Sequence, residues 1–331
     1  MATFFFAEIF PSGEFISPFF IPLLQNRIIM KNKLLICTSF LLVASIANAQ
    51  DLTVGSYNIR YDSSDDKEKG NGWEQRCPVM SKQILFNDFD IFGTQEVLHN
   101  QLEDLLRNLP QYAYIGVGRD DGQTKGEYVP IFYKKDRFKL LKSGNFWLAE
   151  ETEHPNKGWD AALPRICTWG QFRDLKKKKN IWFFNVHFDH VGVEARKQSA
   201  RLILDKIKEI CGKDAVILTG DFNVDQESES YKLLANSNVL FDSYEKAEVK
   251  YALNGTFNAF RSNHVTNSRI DHIFVSEKFK VDRYGILTDS YRTIEKDNTQ
   301  QVGDFPKEIF SSKAEVRMIS DHFPLKVTLF Y

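Results

Sequence analysis

The chain has 331 residues, 43% hydrophobic and 26% charged, with 43 Lys and Arg against 44 Asp and Glu. Those proportions describe a folded globular protein and exclude a disordered tail, a collagen-like repeat and a strongly basic nucleic-acid scaffold. The four cysteines, Cys37, Cys77, Cys167 and Cys211, lie far apart and form no CxxC or Cys/His pairing at zinc spacing.

In chain order, residues 1–29 carry a Phe/Ile/Pro-rich stretch with neither helical nor strand periodicity. Met30 opens a different pattern: Met-Lys-Asn-Lys, an apolar run from Leu34 to Ile46, then Ala47-Asn48-Ala49 before Gln50. A short basic stretch, an apolar core and an A-x-A site are the three parts of a secretory signal peptide, so 30–49 reads as a cleaved export signal. Residues 1–29 then read as upstream sequence or a wrongly chosen start. The apolar run is too short to span a bilayer, so no stable membrane insertion is expected. Cys37 sits too early to be a lipidated first residue. Three cysteines follow Gln50, an odd number that predicts at least one free thiol and no disulfide framework.

From Gln50 onward, apolar runs of strand length recur between turn signals: Leu52 to Tyr61, Asp90 to Gln95, Tyr112 to Val117, Val129 to Tyr133, Arg165 to Phe172, Ile181 to Phe188, Ala215 to Thr219, Ile270 to Val275, Val281 to Leu287 and Phe323 to Phe330. Helices are predicted between some of them. One runs from about Asn100 to Leu109, stopped by Pro110; the clearest runs from Val193 to Cys211, with Ala200, Ile203, Ile207 and Ile210 on one face and Arg196, Lys197, Asp205 and Lys208 on the other. No linker or repeat interrupts the pattern, which predicts one α/β domain over 50–331, expected to be a monomer. Asp62 to Gly72 and Asp289 to Lys313 read as long polar loops, of the kind that form lids or specificity elements. The run Lys176 to Lys179 falls between two strands and reads as a solvated hairpin tip.

Polar residues cluster where the apolar strands stop. Asn58 lies in Ser56-Tyr57-Asn58-Ile59-Arg60, Gln95-Glu96 ends the second strand, and Asn185-Val186-His187 lies near the end of another. Gly220-Asp221-Phe222-Asn223, Arg269-Ile270-Asp271-His272 and Ser320-Asp321-His322 follow. Any one of these alone also reads as a turn former or helix cap. Asp221 and Asn223, two apart, face together, whereas His187 and His190, three apart, would face oppositely on a continuing strand, which argues against a zinc pair. If the strand ends converge, Glu96, Asp221, Asp271 and Asp321 form a cluster in which each pair of charges about 4 Å apart costs roughly 4 kcal/mol at an effective dielectric near 20. A divalent cation is the natural counterweight, and oxygen donors without thiolate select Mg²⁺ or Mn²⁺.

These six segments, in this order from 56 to 322, resemble the endonuclease/exonuclease/phosphatase superfamily, and three stretches outside them, Gly72 to Arg76, Gly158 to Arg165 and Asp189 to Gly192, resemble a secreted bacterial subgroup within it. The resemblance implies a four-layer α/β sandwich of DNase I-like type, with two mixed β-sheets packed face to face and flanked by helices. It implies Glu96 as the main metal ligand with Asn58 and Asp321 beside it. His322 would act as general base or phosphate-binding imidazolium, oriented by Asp271; Asp221 and Asn223 would position water and phosphate, and His187 would donate to the phosphate. Arg60 stands where abasic-site endonucleases carry an acidic residue, and NSRIDHIFVS lacks the Trp signature of inositol-polyphosphate phosphatases. The RIDHIF pattern is closer to deadenylase-like and general nuclease members. Outside the shared segments, Trp73, Arg76, Trp159, Arg165 and His190 are candidates to stack on or clamp a substrate, with core packing or surface ion pairs as the alternative for the tryptophans and arginines. The expected activity is metal-dependent phosphodiester hydrolysis, nuclease-like and exonucleolytic, on single-stranded nucleic acid or nucleotides. A phosphatase or a sphingomyelinase-like lipid or sugar phosphodiesterase is the alternative, and a binding module that has lost its chemistry is the second. Near-neutral charge disfavours tight duplex binding.

Overall fold

Period-two alternation in the strands of this chain gives each an inward and an outward face, and two sheets use the inward faces to bury one another. The computed structural model describes residues 52–301, 308 and 310–331; the segments read as upstream sequence and export signal, 1–49, lie outside the described residues. The first sheet is built from β1 (Leu52–Asn58), β2 (Ile91–Gln95), β3 (Tyr112–Ile115), β4 (Ile131–Lys134), β10 (Val249–Tyr251), β12 (Lys280–Ile286) and β15 (Leu325–Phe330), in the order β10-β12-β15-β1-β2-β4-β3. The second contains β5 (Phe138–Trp147), β6 (Ile166–Asp174), β7 (Lys179–His187), β8 (Ala215–Asp221), β9 (Phe241–Asp242) and β11 (Asp271–Val275), in the order β5-β6-β7-β8-β11-β9. Both are mixed: β1 and β2 run parallel, as do β7 and β8 and β10 and β12, among antiparallel neighbours.

Between the sheets, Val54, Ile91, Ile131 and Leu325 of the first meet Ile181, Phe183, Ile217 and Ile273 of the second, all fully buried. Helices α2 (Trp73–Asn87) and α3 (His99–Asn108) cover the outer face of the first sheet, packing Met80, Ile84, Leu102 and Leu105 on Phe92 and Phe132. Helices α4 (Val193–Cys211) and α5 (Glu229–Ala235) cover the second, where Ala200, Ile203 and Ile207 meet Trp182, Phe184 and Leu218. The layers are therefore helix, sheet, sheet, helix, as the resemblance implies. Asp160, from a distant loop, accepts from the N–H groups of Ala195 (2.6 Å) and Glu194 (3.2 Å) and so caps α4, a contact of the kind worth about 1 kcal/mol.

The inner faces change character along their length. On β7, Ile181 and Phe183 are followed on the same face by Asn185 and His187; on β8, Ile217 is followed by Thr219 and Asp221. Where apolar packing stops, side chains bridge the sheets: Gln95 donates to Asn185 Oδ1 (2.7 Å), as does Thr219 Oγ1 (2.9 Å), and Asn185 donates to the carbonyls of Thr94 (2.8 Å) and Pro130 (3.0 Å). Gly93 faces this bridge, and a Cβ there would lie 2.3 Å from both Asn185 Oδ1 and Thr219 Oγ1. Buried amides thus fix the two sheets in register immediately beneath the strand ends that carry the carboxylates.

Several sequence expectations change. The loop expected at Asp62 to Gly72 contains α1 (Ser64–Glu68), and the loop expected at Asp289 to Lys313 is largely a hairpin of β13 (Ser290–Gln301) and β14 (Phe310–Met318). Both are too polar to show an apolar period. Helix α2 has no apolar stripe to read because its buried face includes Arg76, Ser81 and Gln83. Strand β5 buries only its ends, Phe138, Phe146 and Trp147, and shows no sustained alternation between them. The short α6 (Ser243–Lys246) is capped by Asp242, whose side chain accepts from the Tyr244 N–H at 2.9 Å. The Lys176 to Lys179 run does form the turn between β6 and β7. Cys77, Cys167 and Cys211 are all free and buried. No helix among the described residues is long and apolar enough to cross a membrane.

Candidate functional site

At the carboxyl ends of β1, β2, β7 and β8 the chain leaves both sheets at once, and its first polar side chains meet in one cavity of about 510 Å³. Asn58, the last residue of β1, donates through Nδ2 to Glu96 Oε1 (3.0 Å) and to Asp221 Oδ2 (2.9 Å), joining the first sheet to the second. Its own Oδ1 accepts from the Arg60 N–H at 3.0 Å. Asn58 therefore turns its NH₂ toward the carboxylates and holds them apart; the oxygen expected to face a metal is engaged elsewhere. Glu96 stands one residue beyond β2 in the left-handed region, with φ 61°, a conformation uncommon outside Gly, Asn and Asp. That turn aims its carboxylate into the cavity, where Oε2 accepts from the Tyr61 N–H at 3.2 Å.

Asp221 ends β8 and pairs across the sheet with Asp271, the first residue of β11. Asp221 Oδ1 accepts from the Asn223 N–H (2.9 Å), and Oδ2 lies 3.5 Å from His187 Nε2 and 3.8 Å from His322 Nε2. Asn223, at φ 50°, donates through Nδ2 to the Phe188 carbonyl (3.0 Å) and to His187 Nε2 (3.0 Å). That use of Nε2 as an acceptor leaves the proton of His187 on Nδ1, a buried atom without a hydrogen-bond partner. Asp271 Oδ2 is 2.9 Å from His322 Nδ1, which directs His322 Nε2 toward Asp221. Phe257 packs edge-on against the His322 ring, at 5.0 Å and 67°. Ser320 Oγ donates to the Asn58 carbonyl (2.8 Å), fastening the Ser-Asp-His segment to β1.

The charges are not balanced. Glu96, Asp221, Asp271 and Asp321 face Arg60, which is 3.8 Å from both Glu96 and Asp321, and His322. Burial, then repulsion from Asp271, pushes Asp221 up to about 7. Burial raises Asp321 to about 6, with Glu96 adding to the rise and His322 opposing it. Burial acts to discharge His322, but Asp271 and Asp221 outweigh it and hold its pKa well above the ordinary value. His187 goes the other way, well below, from burial and from Arg165 and Arg119 nearby. An excess of buried carboxylate oxygens fits a divalent cation of the Mg²⁺ or Mn²⁺ type, and the atoms of Glu96, His187 and Asp221 lie within 4.8 Å of one another.

The remaining candidates divide. Arg76 is fully buried and donates to the carbonyls of Asn71 (2.8 Å), Ile59 (2.6 Å), Arg60 (3.0 Å) and Ile319 (3.3 Å). It cannot clamp a substrate; it fastens the chain after β1 to the residue preceding Ser320. Trp73 is buried in the outer core with Nε1 on Asp104 (2.9 Å), and half-buried Trp159 does not line the cavity. Arg165 and His190 do line it, with Arg165 Nη2 3.0 Å from His190 Nδ1. Strand β7 ends at His187, so alternation does not continue to His190 and both rings reach one cavity. The guanidinium beside His190 still opposes a zinc pair. Glu127, which shows no sequence signal, also lines that wall, and Arg119 grips it bidentately from behind at 2.7 and 2.9 Å. Only the bridge from Val97 to Tyr128 brings Glu127 beside Glu96.

Comparison with known proteins agrees with this geometry. The model of the endonuclease/exonuclease/phosphatase family matches residues 55–322. The structure of a mannosyl-6-phosphatase from Bacteroides thetaiotaomicron is 50% identical, over 85% of this chain and 100% of that one, with a TM-score of 0.78. An endonuclease/exonuclease/phosphatase protein from Bacteroides vulgatus is 38% identical over 85% of this chain and 98% of that one, with a TM-score of 0.72. An uncharacterized protein of Acanthamoeba polyphaga mimivirus is 29% identical over 227 residues, 64% of this chain and 83% of that protein.

Proposed function

Because the chain belongs to the endonuclease/exonuclease/phosphatase family, we propose that it is a divalent-cation-dependent phosphatase that cleaves the phosphate monoester of a sugar. The observation that carries this reading is the pairing of the arginines that line the cavity. Arg60 is paired with Asp66 at 2.8 Å and Arg165 with Asp189 at 3.3 Å, while Glu127 adds negative charge. A nucleic-acid strand needs a run of free cations along its phosphates. A small polyhydroxylated ester needs only one phosphate site and a few donors and acceptors around it. The 50% identity to a mannosyl-6-phosphatase supports the same choice over the nuclease-like activity expected from the RIDHIF pattern.

In this reading Glu96, with Asp221 and Asp321 beside it, would hold the cation. When bound, the cation supplies charge neutralisation at the phosphoryl oxygens and the leaving oxygen. The chain's own residues do the rest. His322, kept positive by Asp271 and Asp221, offers its Nε2–H to a phosphoryl oxygen, the imidazolium role rather than that of general base. Asn223, locked to Asp221 by the 2.9 Å contact, would help hold the attacking water on the face opposite the sugar, and the Asp221 carboxylate would receive its proton. Neutral His187 carries its proton on Nδ1 and donates without competing for the cation's charge. With residues 30–49 read as an export signal, the reaction takes place outside the cytoplasm, and N-terminal sequencing of the purified protein at Gln50 is the expected check.

The test is release of phosphate from hexose 6-phosphates, measured beside mononucleotide release from single-stranded RNA and DNA and hydrolysis of sphingomyelin, each with Mg²⁺, Mn²⁺ or EDTA. Sugar phosphate is expected to be the fastest substrate, with activity abolished by EDTA and by Glu96→Ala or His322→Ala. Faster turnover of an oligonucleotide would return the nuclease reading, and full activity in EDTA would remove the metal.

A further inference from the structure

We infer that Glu127 and Arg165 form the subsite that recognises the hydroxyl groups of the leaving sugar, a specificity wall that borders the phosphate-cleaving groups at His187, whose Nδ1 is 3.8 Å from Glu127 Oε2; this rests on the phosphatase reading above. The two residues come from segments outside the strands that carry the cluster: Glu127 lies in the stretch before β4 whose main chain pairs with Arg119, and Arg165 immediately precedes β6. Each is held by groups that leave one functional edge free. The Arg119 guanidinium takes both oxygens of Glu127, at 2.7 and 2.9 Å, and Arg119 is itself fixed by its main chain, whose carbonyl accepts from Trp147 Nε1 at 2.8 Å. Glu127 thus remains a rigid acceptor, since each carboxylate oxygen has a further lone pair for a hydroxyl hydrogen.

Arg165 is 4% exposed, and it spends Nε on Asp189 at 3.3 Å and Nη2 on His190 at 3.0 Å. Its Nη1 is buried, has no hydrogen-bond partner, and belongs to a side chain that lines the cavity. A buried guanidinium N–H without a partner is costly unless something fills it. The filling group must be an acceptor, and it reaches the arginine only through this cavity. Asp189 cannot move to serve it, because its carboxylate is held by the N–H groups of Ala162, Val191 and Gly192 at 2.8 to 3.1 Å. A fixed carboxylate acceptor and a fixed guanidinium donor on one wall match neighbouring hydroxyls of a pyranose, each of which is donor and acceptor at once.

The experiment compares kcat/KM for a hexose 6-phosphate with kcat/KM for phenyl phosphate, whose leaving group has no hydroxyls, in wild type, Glu127→Gln, Arg165→Lys and Lys176→Asn, with thermal unfolding as the check on folding. In Glu127→Gln and Arg165→Lys the ratio of hexose phosphate to phenyl phosphate is expected to fall at least 30-fold, whatever loss the two substrates share. Free hexose is expected to inhibit the wild type competitively and these variants at least tenfold less well. Lys176→Asn, at the exposed hairpin tip away from the cavity lining, is expected to leave the ratio unchanged within about twofold. If both substrates lose activity equally, Glu127 and Arg165 belong to the cleavage machinery and the subsite assignment is overturned while the phosphatase reading stands. If wild type turns over phenyl phosphate and no sugar phosphate, the phosphatase-on-sugar reading falls, and the subsite with it.

Discussion

The burial of Asp221 predicts that cation binding strengthens steeply with pH. In the metal-free protein Asp221 sits at about 7 and Asp321 at about 6, against an ordinary value of 3.8. A carboxyl whose folded-state pKa is raised contributes stability that is fully present below the unfolded value and is lost as pH rises through the folded one. Asp221 therefore costs the metal-free fold roughly 4 kcal/mol between pH 4 and pH 7, taking about 1.4 kcal/mol for each unit of a shift of about three. A cation reverses that cost only by meeting the ionised form. At pH 5 about one Asp221 in a hundred is ionised and at pH 8 most are, so apparent affinity falls roughly 100-fold between them, and up to tenfold further through Asp321. By mass action this removes roughly 3 to 4 kcal/mol of cation-induced stabilisation, about 5 to 15 °C in Tm for a domain of this size.

The assay is thermal unfolding with saturating Mg²⁺ and with EDTA at each pH, taking the difference between the two curves. Neutral His187 loses stability for the fold as pH drops, but it does so with and without metal, and the subtraction largely cancels it. Glu96→Gln is expected to abolish the difference at both pH values. A cation-induced shift that is equal at pH 5 and pH 8, or larger at pH 5, would refute the reasoning, because it would mean that these carboxyls are ionised without the ion.

Three further outcomes follow from single contacts. Arg76→Met leaves four backbone carbonyls without their donor and is expected to cost about 3 to 5 kcal/mol in urea unfolding; a loss below about 1 kcal/mol would show that water or other groups replace it. Gly93→Ala drives a methyl against Asn185 and Thr219 and is expected to cost about 1 to 3 kcal/mol through overpacking, with cation affinity falling as the sheets shift; an unchanged urea midpoint would count against the bridge. Asp271→Asn is expected to lower kcat by about 10² to 10⁴ and to move the alkaline limb of the pH profile downward, since the lost carboxylate is what keeps His322 protonated. A limb that stays in place would show that His322 acts in its neutral form.

Much of this site was legible because its residues obey two local rules. Asn58, Asp221 and Asp271 occupy positions where a period-two apolar face runs out, so alternation alone puts them on the inter-sheet face, and Glu96 follows its strand by one residue, while His322 was marked by the Ser-Asp-His segment rather than by a strand end. Helix α4 was legible to the residue because Ala200, Ile203 and Ile207 repeat at helical spacing and a glycine stands on either side. Arg76 misled for a physical reason: an arginine in a helix reads as solvent-facing, and only the tertiary fold shows four carbonyls aimed at one buried guanidinium. The β13–β14 hairpin was illegible because its strands bury little of their described length, leaving no apolar period to detect.

Glu127 marks the limit of reading a site from strand ends. The cleavage groups arise where parallel strands stop, which any chain of this topology must present at one edge, and their residue types follow from holding a cation and a phosphate. The wall that meets the leaving group arises instead from the stretch before β4 and the residue before β6, positions that the topology leaves free to vary. Its order comes from ion pairs that no strand pattern announces, Arg119 with Glu127 eight residues on and Arg165 with Asp189. It follows that exchanging those two ion pairs for apolar residues of similar volume should leave the sheets and the carboxylate cluster intact while removing the preference for a hydroxylated leaving group. Two relatives with identical strand-end residues can therefore differ in substrate, and the residues paired with Arg119 and Arg165 are where that difference must be sought.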